Sequence, residues 1–168
     1  LGFRGEIISF DEIKGRPNPE KLAEIRRIAI DTDPIYIVFT SGSTGITKGV
    51  IANHRSVIDY IEELGKVLEC DETTVFGNQA PLYLDACLKD VYTTMKYGAT
   101  TYLIPKKLFM SPVKLIEYLN ENKINTICFV VSALTILTKL GAFEFAKPEY
   151  LRTIAFGGEV FPLNHFKE

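Results

Sequence analysis

Short runs of β-favouring apolar residues alternate along the chain with segments that carry apolar residues at helical spacing. The predicted strands cover residues 35–39, 73–79, 100–104, 125–130 and 151–156, and the predicted helices cover 19–30, 51–68, 85–97, 111–122 and 133–140. Repeated β-α units of this size predict an α/β fold, with a mostly parallel sheet flanked by helices on both faces. Ligands of such sheets bind at the carboxyl ends of the strands.

Particular residue types mark the ends of these helices. Asn53 and Ser111 are predicted to be the N-caps of the second and fourth helices, because their side chains accept hydrogen bonds from free backbone N–H groups. Gly98 and Gly141 are predicted to end the third and fifth helices, as glycine does just past a helix C-terminus.

The composition fits a protein with a packed core, since 46% of the residues are hydrophobic and 24% are charged. The net charge of −2 gives no positive excess to neutralise phosphate backbones, so nucleic acid is not an expected partner. The N-terminus lacks a signal-peptide pattern, and the most apolar stretch, residues 124–137, is too short to span a bilayer. The chain is therefore expected to be soluble and cytoplasmic, without a membrane partner.

The cysteines and histidines predict neither a disulfide framework nor a metal site. Cys70, Cys87 and Cys128 are odd in number and lack metal-ligand spacing, so they are expected to be reduced residues with apolar packing roles. His54 and His165 lie too far apart in the sequence to support a zinc site.

A loop of glycine, hydroxyl and lysine residues follows the predicted strand at 35–39. This strand is apolar at every position, which predicts burial on both faces of a parallel sheet. With the helix predicted from residue 51, the segment forms a strand-loop-helix unit. The loop reads Thr40-Ser41-Gly42-Ser43-Thr44-Gly45-Ile46-Thr47-Lys48-Gly49-Val50. Glycine N–H groups, hydroxyl donors and a lysine together favour polyphosphate binding, and the alternative is a flexible turn.

Two common phosphate-binding motifs do not fit this loop. The P-loop is G-x-x-x-x-G-K-[ST], but the sixth position counted from Gly42 is Thr47, and Lys48 is followed by Gly49. The G-x-G-x-x-G motif is also excluded, because Gly42 and Gly45 are not part of a G-x-G sequence.

The loop resembles the signature of the adenylate-forming enzyme superfamily, [ST]-S-G-[ST]-T-G-x-P-K-G-V. The exception is Thr47, where proline is usual, and this change should loosen the loop more than abolish phosphate binding. The superfamily includes acyl-CoA synthetases, luciferases and the adenylation domains of nonribosomal peptide synthetases. The resemblance implies that the phosphates of ATP are bound by Thr40, Ser41, Gly42, Ser43, Thr44, Gly45 and Lys48.

The segment of residues 79–92 resembles the F-D-[AL]-S-V-x-[DE]-[IL]-Y stretch of the amino-acid-activating members. The aspartate of that stretch pairs with the α-ammonium group of the amino acid, which implies a substrate-binding role for Asp85. A carboxylate at the start of a buried helix suits this role, and the alternative is a simple helix N-terminal residue. Leu84 and Cys87 replace the usual phenylalanine and serine but keep an apolar or small side chain.

Residues 151–162 resemble the L-R-x-x-x-x-[CG]-G-E-x-[LF]-P element, which lies beside the amino-acid pocket and the nucleotide in the family. The resemblance implies that Gly157 borders the substrate and that Gly158 and Glu159 lie next to the nucleotide. The alternative is a turn that ends a strand. D-alanine–D-alanyl carrier protein ligases, which the chain also resembles, often have a cysteine in place of Gly157, so glycine leaves more room and alanine is not the implied substrate.

Residues 129–133 resemble the strand-to-helix turn of the family, x-V-P-[ST]-x, with Val131 in place of the proline. Phe129 is assigned by this resemblance to the substrate pocket, and a core role is an equal alternative. His54 matches a common histidine of the family and is expected to pack at the start of a helix rather than to act in catalysis.

The resemblance covers residues 33–168, which we expect to form a core that carries the phosphate loop and pocket elements. Residues 1–32 are expected to form a leading strand over residues 5–10, a loop and a helix. Three elements of the family are not found in the sequence: the adenine-stacking segment whose glutamate helps to hold Mg²⁺, the ribose-binding aspartate and the C-terminal lysine. The chain is therefore predicted to be an inactive fragment of the large N-terminal domain of a longer enzyme, with no complete catalytic set.

The implied function is ATP-dependent adenylation of an amino acid, followed by transfer to the thiol of a phosphopantetheinylated carrier protein. The implied cofactors are ATP and Mg²⁺, with the Mg²⁺ ligand outside this chain and no metal-binding residue within it. Two alternatives stay open at this point: a non-catalytic nucleotide-binding module, and an acyl-CoA synthetase-type ligase with a substrate other than an amino acid.

Overall fold

The structure of the chain is a computed structural model that describes residues 4–5, 9–13, 15–40, 45 and 47–162. The helices are α1 Pro19–Ile28, α2 His54–Val67, α3 Leu88–Tyr97, α4 Pro112–Glu121, α5 Val131–Lys139 and α6 Ala142–Phe145. The strands are β1 Pro34–Thr40, β2 Lys48–Asn53, β3 Val75–Asn78, β4 Thr100–Leu103, β5 Thr126–Val130 and β6 Thr153–Gly157. Single 3-10 turns lie at Phe10–Glu12, Asp85–Cys87 and Lys106–Met110.

Four strands form a parallel sheet in the order β4-β3-β5-β6, which confirms the predicted α/β fold. The chain leaves β3 through α3 to reach β4 on one side. It then returns through α4 to β5, on the other side of β3. This reversal opens a crevice at the carboxyl ends of β3 and β5, because the two connections diverge from neighbouring strands.

Helices cover both faces of the sheet, as the sequence predicts. Alternate residues of β5 belong to two different hydrophobic clusters, since successive side chains of a strand point to opposite faces. Ile127 and Phe129 pack in the larger cluster with residues of α4, α5 and α6. Cys128 packs on the other face with Phe76 of β3 and Leu68 at the end of α2. No helix in the described ranges combines the length and the apolar character needed to cross a bilayer.

A strand forms at residues 35–39 as predicted, but the predicted burial on both faces of a parallel sheet is wrong. β1 pairs antiparallel with β2 in a separate two-stranded sheet, and Ile37 and Phe39 are 52% and 69% exposed. An apolar run of this length does not by itself distinguish a strand of a buried parallel sheet from a hairpin strand. The phosphate loop consequently joins two hairpin strands, and the expected strand-loop-helix order is also wrong.

The second helix begins at His54 rather than at residue 51, because residues 51–53 complete β2. Asn53 is its N-cap, as predicted. The Asn53 Oδ1 accepts a hydrogen bond from Ser56 N at 2.8 Å, and the Ser56 Oγ accepts one from Asn53 N at 3.2 Å. This reciprocal pair satisfies backbone groups on both sides of the boundary and so fixes where the helix starts. The backbone N–H of the exposed His54 donates to Asp33 O at 3.3 Å.

Glycines end two helices at the predicted positions. Gly98 and Gly141 adopt left-handed backbone conformations with φ of 65° and 62°, which cost little without a Cβ atom. Ser111 precedes α4 as predicted, but its side chain makes no capping hydrogen bond. Helix α5 starts at Val131 rather than at residue 133, directly after β5.

Other predicted boundaries also change. The first helix ends at residue 28 instead of residue 30. The segment predicted as one helix from Asp85 begins as the 3-10 turn over residues 85–87. Residues 6–8 of the expected leading strand lie outside the described part of the chain, and the strand does not extend to Phe10, which begins a 3-10 turn.

A buried carboxylate ties α3 to the end of β3. Asp90 is fully buried, and its Oδ2 accepts a hydrogen bond from Asn78 Nδ2 at 2.7 Å. The ammonium group of Lys89 lies 3.7 Å from the same oxygen. Burial raises the pKa of Asp90 above its ordinary value, although Lys89 and the hydrogen bond from Asn78 oppose this shift. The Oδ1 atom of Asp90 and the Oγ1 atom of Thr93 are buried without a hydrogen-bond partner among the described residues.

Substitution of Gly77 by alanine should destabilise the fold. A Cβ atom at Gly77 would lie 3.0 Å from Ile104 Cδ1, 3.2 Å from Ile124 Cγ2 and 3.3 Å from Ile127 Cγ2. We expect the free energy of unfolding to fall by about 1 to 3 kcal/mol, measured by urea denaturation. Gly15→Ala is the matched control, because a Cβ atom there meets nothing within 4 Å. Equal stability of the two variants would contradict this packing.

The raised pKa of Asp90 predicts how the free energy of unfolding depends on pH. Asp90 binds its proton more tightly in the folded chain, so its contribution is most favourable below the unfolded pKa of about 3.9. That contribution is lost as the pH rises through the folded pKa. Asp90→Asn keeps an acceptor for Asn78 and carries no charge, so its stability relative to the native chain should increase as pH rises above about 4.

Urea denaturation at several pH values measures this difference. Asp90→Ala is the contrasting variant, because it leaves the Asn78 amide without its acceptor and should cost about 1 to 3 kcal/mol. A stability difference between Asp90→Asn and the native chain that does not change with pH would contradict the prediction.

Candidate functional site

A half-open cavity of about 410 Å³ lies at the carboxyl ends of β3, β5 and β6, next to the reversal of the strand connections. Helix α2 and the start of α3 complete its wall. Its lining comprises Tyr60, Leu64, Gln79, Ala80, Ala86, Lys89, Cys128, Phe129, Val130, Ala155, Phe156, Gly157 and Gly158. A hollow at this point of a doubly wound sheet is where small ligands bind.

Gln79 connects the two strands at the reversal. It directly follows β3, and its Oε1 accepts a hydrogen bond from the backbone N of Val130, at the end of β5, at 2.9 Å. The side chain therefore fixes the spacing between these strand ends at the edge of the cavity. Gln79 was not among the site residues predicted from the sequence, although its place at the carboxyl end of a predicted parallel strand was an available signal.

Neutral, small side chains line the part of the cavity nearest the sheet. Cys128 and Ala155 pair across β5 and β6, and both line the cavity. Burial, with a further contribution from Asp90, raises the pKa of Cys128 to about 12. The thiol is therefore protonated at neutral pH and is not a nucleophile. Burial likewise raises the pKa of Cys87. Cys87 and Cys128 are buried and Cys70 packs against the smaller hydrophobic cluster, in agreement with the packing roles expected for them.

Two glycines present bare backbone to the cavity. Gly157 is the last residue of β6, and Gly158 follows it with a φ of 84°. A Cβ atom at either position would find nothing within 4 Å, and both residues belong to the cavity lining. Glu159 is exposed and follows directly, outside the cavity lining. The ligand contacts expected for these three residues stay predictions.

Phe129 has the core role that the sequence left open, and its contact with a substrate stays a prediction. The residue is 2% exposed, and its ring packs against Phe109 with 5.5 Å between the centroids, in an edge-to-face arrangement. It belongs to the larger hydrophobic cluster and also borders the cavity. The residue therefore links the cavity wall to the core of the sheet.

Lys89 brings a positive charge to the cavity. Its side chain is 17% exposed, and its Nζ donates a hydrogen bond to the Ala86 carbonyl oxygen at 2.8 Å. Among the described residues that line the cavity, it is the only charged one. Tyr60 of α2 also lines the cavity, and burial raises the pKa of its phenol, with smaller contributions from Cys128 and other groups. Neither residue was predicted from the sequence, because a lone lysine or tyrosine on a helix resembles any surface residue.

Asp85 lies beside the cavity rather than in its lining. It is the exposed first residue of a 3-10 turn, not the start of a buried helix. It borders a separate groove of about 350 Å³ with Tyr36 of β1 and Tyr92 of α3. The pKa of Tyr36 is raised by burial and then by the Asp85 charge. The next residue, Ala86, lines the main cavity, so this turn contributes to the walls of both hollows. The pairing of Asp85 with an ammonium group stays a prediction.

The phosphate loop closes the β1–β2 hairpin. Thr40 and Lys48 pair across the two strands at its base, and both are exposed. Gly45 has a φ of 75° and open space where a Cβ atom would lie. Ser41, Gly42, Ser43 and Thr44 lie outside the described residues. The residues of the loop that the structure describes offer bare backbone, a hydroxyl group and a lysine. Their contacts with phosphate stay a prediction.

Metal ligands do not come together in the described ranges. There, no group of three or more histidine, cysteine, aspartate or glutamate residues could hold a metal ion. A second cavity, of about 380 Å³, lies on the face of the sheet covered by α4, α5 and α6. Its lining is apolar apart from Thr138, so it offers no chemistry comparable to that at the strand ends.

Sequence comparison relates the chain to enzymes that act on carrier proteins. It is 31% identical over 142 residues to the L-proline–[L-prolyl-carrier protein] ligase of Pseudomonas fluorescens, a match that covers 84% of this chain and 28% of the ligase. It is 29% identical over 150 residues to the D-alanine–D-alanyl carrier protein ligase of Bacillus cytotoxicus, covering 89% of this chain and 29% of that protein. The chain thus spans less than a third of the length of these relatives.

Structural comparison gives the same fold in larger proteins. The crystal structure of CmiS6 superposes with a TM-score of 0.69 at 27% identity, over 82% of this chain and 32% of that one. The structure of McyG A-PCP complexed with phenylalanyl-adenylate superposes with a TM-score of 0.75 at 16% identity, over 83% of this chain and 23% of that one.

The match to a protein family extends over nearly the whole chain. It runs from residue 6 to residue 168 and therefore includes the hairpin loop, the parallel sheet and every strand end around the cavity. The family is described as AMP-binding enzyme, in agreement with the resemblance of the loop to the adenylate-forming signature. The chain belongs to the AMP-binding enzyme family.

Proposed function

We propose that the chain is part of an ATP-dependent ligase that adenylates an amino acid and transfers it to the thiol of a phosphopantetheinylated carrier protein in the cytoplasm. The observation that carries this proposal is the cavity at the strand ends, which lies in a chain that also carries the adenylate-forming signature in its β1–β2 loop. The names of the two relatives, both carrier-protein ligases, support the partner.

The hairpin loop would hold the β- and γ-phosphates of ATP and stabilise the pyrophosphate that leaves. When bound, ATP supplies the adenylyl group. Gly45 offers bare backbone in a left-handed conformation, and Thr40 offers a hydroxyl donor. Lys48 is exposed and forms no salt bridge with another described residue, so its charge is available to an anion. Such positioned charge lowers the barrier for departure of pyrophosphate without a nucleophilic side chain. The Mg²⁺ ligand would come from outside the described residues.

The amino acid would occupy the cavity at the strand ends. Gly157 and Phe129 border it, and Gly158 and Glu159 follow at the side proposed for the nucleotide. Asp85 would bind the α-ammonium group from the adjoining groove. The 3-10 turn supports this arrangement, because Asp85 and the cavity residue Ala86 are neighbours in it. A carboxylate at this exposed edge can form a charge-assisted hydrogen bond with an ammonium group.

Pyrophosphate exchange tests the proposal. The protein encoded by the whole reading frame should exchange labelled pyrophosphate into ATP in the presence of an amino acid, because adenylation is reversible. The 168 residues alone should show no amino-acid-dependent exchange, since the adenine, ribose and lysine elements of the family are not in their sequence. Exchange that responds only to simple carboxylates would overturn the amino-acid assignment, and robust exchange by the 168 residues alone would overturn the fragment assignment.

Lys48→Ala should impair exchange through the loop. Removing the positive charge should lower kcat/KM for ATP by about tenfold or more, because the charge stabilises phosphate in the transition state. Lys66→Ala is the matched control, since Lys66 is an exposed lysine of α2 that pairs with Glu63 at 2.6 Å, away from the loop. Steady-state exchange rates at varied ATP measure both variants. Equal rates for the two variants would remove Lys48 from the proposed phosphate site.

A further inference from the structure

We propose that Lys89 selects an amino acid whose side chain ends in a carboxylate, so that the substrate class is the acidic amino acids. This inference rests on the proposed function, because it takes the cavity at the strand ends to be the substrate pocket. Lys89 lines the same cavity as Gly157 and Phe129.

The charge on the described cavity lining is of one sign, positive. Its described lining contains one cationic side chain, that of Lys89, and no carboxylate. The other polar groups of the lining are neutral: the amide of Gln79, the phenol of Tyr60 and the thiol of Cys128, whose pKa of about 12 keeps it protonated. A ligand side chain with a negative charge would therefore meet an attractive group and no repulsive one.

The structure holds the ammonium group of Lys89 in place but leaves it unsaturated. One of its three N–H donors binds the Ala86 carbonyl at 2.8 Å. The nearest carboxylate oxygen, Asp90 Oδ2, is 3.7 Å away, which is too far for a hydrogen bond. That oxygen already accepts from Asn78 Nδ2 at 2.7 Å. Two donors of Lys89 are thus available to a ligand.

Burial strengthens the interaction that these free donors would make with a bound carboxylate. The Lys89 side chain is only 17% exposed, so water compensates its charge poorly and a bound carboxylate would compensate it better. Asp90 compensates the charge of Lys89 in part, but burial disfavours the ionised form of Asp90 and so raises its pKa. A neutral ligand would cover Lys89 without pairing with it, and a basic ligand would be repelled.

The sheet side of the cavity leaves space for such a side chain. Cys128 and Ala155 have short side chains, and Gly157 has none, with open space for at least 4 Å around the position that a Cβ atom would take. The cavity volume of about 410 Å³ exceeds what a small side chain such as that of alanine fills. A side chain of intermediate length that carries its charge at the tip uses both the space and the lysine.

Isosteric substrate pairs test this inference in the protein encoded by the whole reading frame. Amino-acid-dependent pyrophosphate exchange is measured with aspartate against asparagine and with glutamate against glutamine. We expect at least one acid to exceed its amide by about tenfold or more in kcat/KM, the size of a charge-assisted hydrogen bond. Lys89→Met should remove this preference by lowering the rate with the acid, and Lys89→Arg should retain it.

Lys96→Met is the matched control. Lys96 lies on the same helix and pairs with Glu62 at 2.5 Å, outside the cavity lining, so its loss should leave the preference between acid and amide unchanged. Thermal melting of each variant separates a loss of fold from a loss of recognition. If Lys89→Met unfolds the protein, the inference is tested by the preference for acid over amide in the native protein and in Lys89→Arg.

The outcomes distinguish this inference from the proposed function. A native protein that prefers a neutral or basic amino acid overturns the role of Lys89 and leaves the adenylation of amino acids standing. An equal loss for all amino acids in a folded Lys89→Met variant also overturns it, because Lys89 would then bind a group common to every substrate, such as the reacting carboxylate or a phosphate. Exchange with simple carboxylates alone overturns the proposed function itself.

Discussion

The reversal of strand connections beside β3 is the constraint on which the candidate site depends. Because β4 and β5 lie on opposite sides of β3, the chain leaves the sheet in opposite directions from neighbouring strand ends. Two polar contacts hold the elements that surround the hollow between these connections. Gln79 accepts from the backbone of Val130, and Asn78 donates to the buried carboxylate of Asp90. The first contact sets the spacing of the strands, and the second fixes α3, which presents Lys89 to the cavity.

Electrostatics in this region follow from burial. The same low exposure that keeps the Cys128 thiol neutral raises the pKa of Asp90 and leaves Lys89 with little water around it. The cavity therefore combines an inert part next to the sheet with a single cationic residue on its wall. Such an arrangement suits recognition of a ligand more than chemistry by the side chains themselves. This agrees with the proposed reaction, in which the leaving group belongs to the nucleotide and the protein positions charge.

Much of the fold could be predicted from the sequence, since the alternation of apolar runs and helical spacing identified every strand of the parallel sheet. The capping residues located helix boundaries where their geometry was local, as with Asn53, Gly98 and Gly141. The hairpin was missed for a physical reason. Residues 35–39 carry the apolar pattern of a doubly buried strand. What distinguishes β1 is its antiparallel pairing with β2, and this pairing depends on contacts with another segment of the chain. The apolar spacing of the helix at residues 54–67 also led to the prediction of residues 51–53 as helix, whereas they belong to β2.

Fold class, the phosphate-loop signature and the identity of the residues at the strand ends follow from the amino-acid sequence alone, because they depend on local pattern and on residue order. Which of those residues share a cavity depends on packing in three dimensions. That packing brings Lys89, Gln79 and Cys128 together with Gly157, and it leaves Asp85 in an adjoining groove. The direction of a helical side chain depends on the face that the helix buries. That face is set by contacts between α2, α3 and the sheet, which no local pattern specifies.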